Sequence, residues 1–89
     1  MKKIKITLET TGGLHARPAS MLVNLVKNYD SDVMIKKDET DSLYNAKSMM
    51  SILSMGAGNG TSLEFQITGS DEVVLEGKLK ELLQKEFSA

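Results

Sequence analysis

The chain has 89 residues, 40% of them hydrophobic and 26% charged, with 11 basic and 12 acidic side chains giving a formal net charge of −1. That length predicts one domain over residues 1–89 with one modest core, too small to enclose a substrate in a deep cleft. The missing basic excess argues against nucleic-acid binding, and the absence of cysteine excludes disulfides, thiolate metal sites and cysteine nucleophiles.

Ile4, Ile6 and Leu8 alternate with Lys3, Lys5 and Thr7, which predicts a strand with one buried face. An alternating N-terminal segment, in place of a continuous apolar run, points to no signal peptide, no membrane insertion and a cytoplasmic location. Thr11-Gly12-Gly13 marks a turn. From Ala16 to Tyr29 the period becomes helical, with Ala19, Leu22, Val23 and Val26 on one stripe. Pro18 suits the first turn of that helix, which therefore starts at or just after His15. Val33 and Ile35 mark a second strand within Ser31 to Lys37. The polar stretch Lys36 to Ser42 then turns the chain, so that Leu43 to Ala46 pairs back as a short third strand. Ser48 predicts the N-cap of a two-turn helix over Met49 to Met55, ended by the glycine-rich residues 56–60. Leu63, Phe65 and Ile67, alternating with Ser62, Glu64, Gln66 and Thr68, give the clearest strand. Ser70 is the expected cap of the last helix, with Asp71 and Glu72 at its positive end. Its apolar stripe is Val74, Leu75, Leu79, Leu82, Leu83 and Phe87. The order is β-α-β-β-α-β-α. Strands with one polar face imply an antiparallel sheet covered by helices on one side, a two-layer α+β fold.

The segment Gly13-Leu14-His15-Ala16-Arg17-Pro18-Ala19 carries the chemistry. Glycines before it allow a tight turn, and His15 falls at a helix N-terminal boundary, where unpaired amides and the helix dipole favour an anion. Arg17 adds a permanent planar cation able to take two phosphate oxygens. A helix N-terminus disfavours imidazolium, so the imidazole stays neutral and nucleophilic. These parts suit a phosphohistidine. Its stabilisation must stay modest, because a carrier that holds its phosphoryl group too tightly cannot pass it on.

The same segment resembles the active-site signature of the HPr family, the histidine-containing phosphocarriers of the bacterial sugar phosphotransferase system. The segment Asn45-Ala46-Lys47-Ser48-Met49-Met50-Ser51-Ile52-Leu53-Ser54-Met55-Gly56, the length and the element order are also similar to that family. The resemblance implies an open-faced β-sandwich with a four-stranded antiparallel sheet and three helices on one face. It implies that His15 accepts a phosphoryl group on Nδ1 from phosphorylated enzyme I and passes it to the A domains of sugar-specific permeases, with Arg17 stabilising the phosphate. No cofactor or metal is implied, and the carrier is expected to be a monomer rather than a free-standing enzyme. Ser48 matches the serine that an ATP-dependent HPr kinase/phosphorylase modifies in some relatives. A phosphoserine there would add nearly two negative charges to the docking face and, by resemblance, engage a catabolite-control transcription regulator. The implied partner surface comprises Ala16, Ser20, Met21, Asn24 and Lys27 on the first helix and Met49, Met50, Leu53 and Met55 on the second. Five apolar side chains among the seven residues from Met49 to Met55 cannot all face inward, and flexible methionines suit a surface that meets several partners.

Gly12 stands where relatives often carry a hydroxyl residue, Ser51 where many carry glycine, and the Lys36 to Ser42 hairpin is about two residues longer than in many of them. Two rival readings remain. A regulatory or nitrogen-linked phosphorelay protein of the same family would share the motif. A small α+β RNA-binding domain would need a basic sheet face with stacking aromatics, whereas Ser62, Glu64, Gln66 and Thr68 offer none.

Overall fold

Period-2 alternation builds the sheet. The computed structural model describes residues 1–9, 16–38 and 40–87. His15 and the Thr11-Gly12-Gly13 turn lie outside the described residues. The elements run β1 (Lys2–Thr7), α1 (Ala16–Val26), β2 (Asp32–Lys37), β3 (Leu43–Asn45), α2 (Met49–Ser54), β4 (Ser62–Thr68) and α3 (Glu72–Glu86). The strands form one antiparallel sheet of order β1-β4-β2-β3. Register sets the two faces: Ile4 pairs with Phe65 and Phe65 with Ile35, so the apolar members of each strand share one side. Ile4, Ile35, Leu63, Phe65 and Ile67 are buried there beneath the helices. The opposite face is polar and carries no helix. On it Lys3 Nζ lies 3.6 Å from Glu64 Oε1, and the Thr7 and Ser62 hydroxyls are 3.0 Å apart. The fold is the expected α+β open-faced sandwich.

Helix α1 buries Ala19, Leu22 and Val26, while Val23 is only partly covered. It ends at Val26, not at Tyr29. Tyr29 still packs on the core, but its amide reaches back three residues to Val26, and Lys47 Nζ covers its carbonyl at 2.9 Å. Both contacts turn the chain out of the helix.

The last helix differs from expectation in two ways. Asp71, not Ser70, stands at the N-cap, and its side chain makes no capping bond. Its carboxylate instead accepts the amides of Asp30 at 2.8 Å and Ser31 at 2.9 Å, together with the Ser31 hydroxyl. Glu72 reaches back to the Gly69 amide at 3.2 Å and also pairs with the N-terminal ammonium at 3.1 Å. Secondly, Val74 is 58% exposed, so it does not belong to the buried stripe. Leu75, Leu79 and Leu83 recur every four residues and take the inner face, continued by Phe87, while Val74 is turned about 100° away.

Those contacts make Asp71 a pH-sensitive latch between the start of β2 and the start of α3. The Ser31 hydroxyl, and then the Asp30 amide, hold its carboxyl below the usual aspartate range. A carboxyl depressed in the folded state contributes stability above its unfolded value and loses it as pH falls through the folded one. Thermal melts should therefore show the midpoint falling as pH drops from about 5 to about 3, more steeply for wild type than for Asp71→Asn. Parallel curves for the two proteins would remove Asp71 from the account.

Candidate functional site

The chain direction places the motif. β1 and β4 pair from Lys2↔Ile67 to Thr7↔Ser62, so the chain leaves the sheet toward residues 10–15 at the Ser62 end. The Asp71 latch sits at the opposite end, beyond Thr68. Ala16, Arg17 and Pro18 form the first turn of α1. Pro18 is buried and supplies no amide, at a position where an amide has no intrahelical acceptor in any case. Arg17 is exposed and makes no hydrogen bond or ion pair among the described residues. A guanidinium there is held near His15 in sequence and is available to an anion.

α1 packs against α2. Along α1 the exposed Ser20 and Asn24, and Lys27 just past its end, recur with Arg17 at helical spacing, with Met21 half-buried beside them. On α2, Met50 is 83% and Leu53 44% exposed, while Ile52 faces the core and Met49 packs half-buried against it. Met55 departs from expectation: it is only 3% exposed and belongs to the core, so it cannot line the outer surface. It lies one turn beyond Ile52, on the inner side of the helix.

Ser48 caps α2 as predicted. Its backbone is extended, and its Oγ accepts the Ser51 amide at 3.2 Å. Ser51, which the sequence marked only as a family difference, is part of the same support. Its Oγ accepts the Asn45 amide at 3.0 Å, and Asn45 Oδ1 accepts the Lys47 amide at 2.9 Å. The signal for it was a serine three residues after the cap, a capping-box spacing. At the other end of α2, Lys37 Nζ donates to the Met55 carbonyl at 3.2 Å. A six-residue helix is too short to hold itself, so these end contacts and Ile52 define its position.

No described helix is long and apolar enough to cross a membrane, and the described residues contain no His/Cys/Asp/Glu cluster able to hold a metal. A shallow depression of about 320 Å³, lined in part by Lys5, Thr7, Lys36, Ser62 and Glu64, lies on the helix-free face, away from α1 and α2. The exposed basic and apolar side chains of α1 and α2 form an open surface suited to protein contact.

Residues 2–85 match the family PTS-HPr, described as the PTS HPr component phosphorylation site. The chain belongs to the HPr family. A phosphocarrier protein HPr from Treponema pallidum is 39% identical over 75 residues, covering 84% of this chain and 83% of that protein. An HPr crystal structure from Thermoanaerobacter tengcongensis superposes with a TM-score of 0.88 at 32% identity, covering 100% of this chain and 98% of the other. A multiphosphoryl transfer protein from Haemophilus influenzae is 45% identical over 60 residues, 66% of this chain but 12% of that protein. An HPr is a phosphocarrier of the phosphotransferase system, which serves sugar transport.

Proposed function

We propose that His15 is the phosphoryl acceptor, that phosphorylated enzyme I is the donor, and that the A domains of sugar-specific permeases are the acceptors, all in the cytoplasm. The lone pair of a neutral imidazole Nδ1 attacks phosphorus, the new N–P bond forms, and the bond from phosphorus to the donor breaks. Arg17 takes charge from the transferred oxygens while the group rests on His15, and the open α1–α2 surface docks donor and acceptor in turn. The observation that carries this reading is Arg17: exposed, without a partner among the described residues, and fixed in the first helical turn two positions after His15. Exposed Met50 and Leu53 supply an adaptable apolar contact, and exposed Lys27 a basic one.

Ser48 is the second modification site in this proposal. Its Oγ already accepts a backbone amide at the N-terminus of α2, so a phosphate there would keep an amide donor while placing about two negative charges beside the docking surface. That would weaken docking to acidic partners and favour a basic regulator, the role assigned here to an HPr kinase/phosphorylase and a catabolite-control transcription regulator.

Intact mass after incubation with phosphoenolpyruvate, Mg²⁺ and a bacterial enzyme I tests the main reading. One acid-labile phosphoryl group mapping to His15, and absent from His15→Ala, is the expected result. No added mass, with enzyme I active on a control HPr, would refute the acceptor role. An ATP-dependent serine kinase should add an acid-stable phosphate at Ser48.

A further inference from the structure

We propose that the depression on the helix-free face of the sheet is a binding site for a small hydroxylated phosphomonoester, held between the ammonium groups of Lys5 and Lys36. The depression has a volume of about 320 Å³, and Lys5, Thr7, Lys36, Asp38, Ser62 and Glu64 supply its polar lining. None of these residues belongs to a helix, so the site stands apart from the α1–α2 surface.

Register builds it. Glu64 on β4 pairs with Lys5 on β1 and with Lys36 on β2, so the three side chains form one row across the polar face. Two inter-strand spacings separate the lysine backbones, about 10 Å, a gap that two four-carbon stems can close onto one anion. Neither ammonium has a hydrogen bond or ion pair among the described residues. Glu64, which could neutralise them, is engaged elsewhere: its Oε1 lies 3.6 Å from Lys3 Nζ and accepts Gln66 Nε2 at 3.3 Å. Lys3 and Gln66 are paired in the next row, on the side away from Thr7 and Ser62. Two cations are therefore left lining the depression without a counter-ion.

The donors decide the class of ligand. The Thr7 and Ser62 hydroxyls lie 3.0 Å apart and one donates to the other, so one of their two protons remains for a ligand. Two ammoniums and a hydroxyl match the three oxygens and near-double charge of a phosphomonoester better than the two oxygens and single charge of a carboxylate. Asp38 offers the ligand acceptors only, since its amide already donates to the Ser62 carbonyl at 2.9 Å. Hydroxyl groups on the organic part of the ligand would donate to that carboxylate and leave the phosphate on the lysine side. A shallow site reached by solvent binds weakly, with a Kd on the order of 1 mM.

The test is a titration of the isotope-labelled full chain with glycerol phosphate, followed by backbone amide chemical shifts. Inorganic phosphate, sulfate and glycerol are the controls, all at constant ionic strength. The amides of Lys5, Thr7, Lys36 and Ser62 should shift together and saturate with a Kd of roughly 1 mM. Lys5→Gln and Lys36→Gln together should weaken that binding at least about tenfold and keep the wild-type melting midpoint, since neither ammonium has a described partner to lose. Inorganic phosphate should bind several-fold more weakly, and glycerol not at all. Equal affinity for glycerol phosphate, inorganic phosphate and sulfate would mean an adventitious ion only, and would overturn the assignment. Shifts that fail to saturate, that survive in the double variant, or that fall on α1 in place of the sheet overturn the site itself. The acceptor role of His15 is read by phosphorylation and is untouched by any of these results.

Discussion

Arg17→Ala should slow phosphorylation of His15 by roughly 100-fold, the usual consequence of removing one pre-placed charge from a transfer site. Stability should hardly change, within about 0.5 kcal/mol, because the side chain is exposed and has no partner among the described residues to lose. Separating the two effects is the strength of this variant. Arg17→Lys keeps the charge without the planar fork and should recover part of the rate, leaving about a tenfold deficit. Rapid-quench measurement of phosphoryl transfer from enzyme I, alongside thermal melts, reads both quantities. Transfer by Arg17→Ala within about twofold of wild type would show that the guanidinium plays no part in the transfer step.

Gly69→Ala should be the most destabilising single change available at the far end of the sheet. Gly69 has φ +157°, and a Cβ there would lie 2.5 Å from the Cα and Oγ of Ser31 and 2.8 Å from its Cβ. The Ser31 backbone cannot retreat, because its amide and hydroxyl are both bound to Asp71. Steric overlap with backbone and an unfavourable φ together cost about 3 kcal/mol. For a chain of this length that lowers the melting midpoint by roughly 15 °C. Gly60→Ala, at φ +89° with nothing within 4 Å of the new Cβ, has the strain without the overlap and should cost less. Equal midpoints for Gly69→Ala and wild type would mean that the β4–α3 connection is not closed against Ser31 in solution.

The sheet could be read from the chain because its signal is local. Strict alternation at Leu63, Phe65 and Ile67 predicts β4 over the seven residues observed, and the half-polar pattern leaves one sheet face uncovered, as found. The errors share a cause in contacts far apart in sequence. Tyr29 keeps helical spacing, yet α1 stops at Val26 with a lysine from 18 residues away on the Tyr29 carbonyl. Ser70 is a good cap by composition, but the position passes to Asp71, whose carboxylate is drawn to Ser31 from 40 residues away. On a two-turn helix the apolar pattern alone does not choose a face, and Met55, expected on the outer surface, lies inside. At the site, His15, Arg17 and Ser48 stand out as candidates in the sequence because their residue types and spacing suit the chemistry.

The strand order also decides what happens at the margins of the sheet. β1 and β3 are its outer members, and backbone donors and acceptors along an outer strand invite another chain to add on. β1 answers with lysine at positions 2, 3 and 5, so an incoming strand would have to lie along a row of like charges. β3 answers by being only three residues long. Strand-by-strand growth is therefore discouraged at both margins, while Met50 and Leu53 stand exposed in the helical layer. A phosphocarrier gains from such margins, because they offer little for another chain's backbone to pair with.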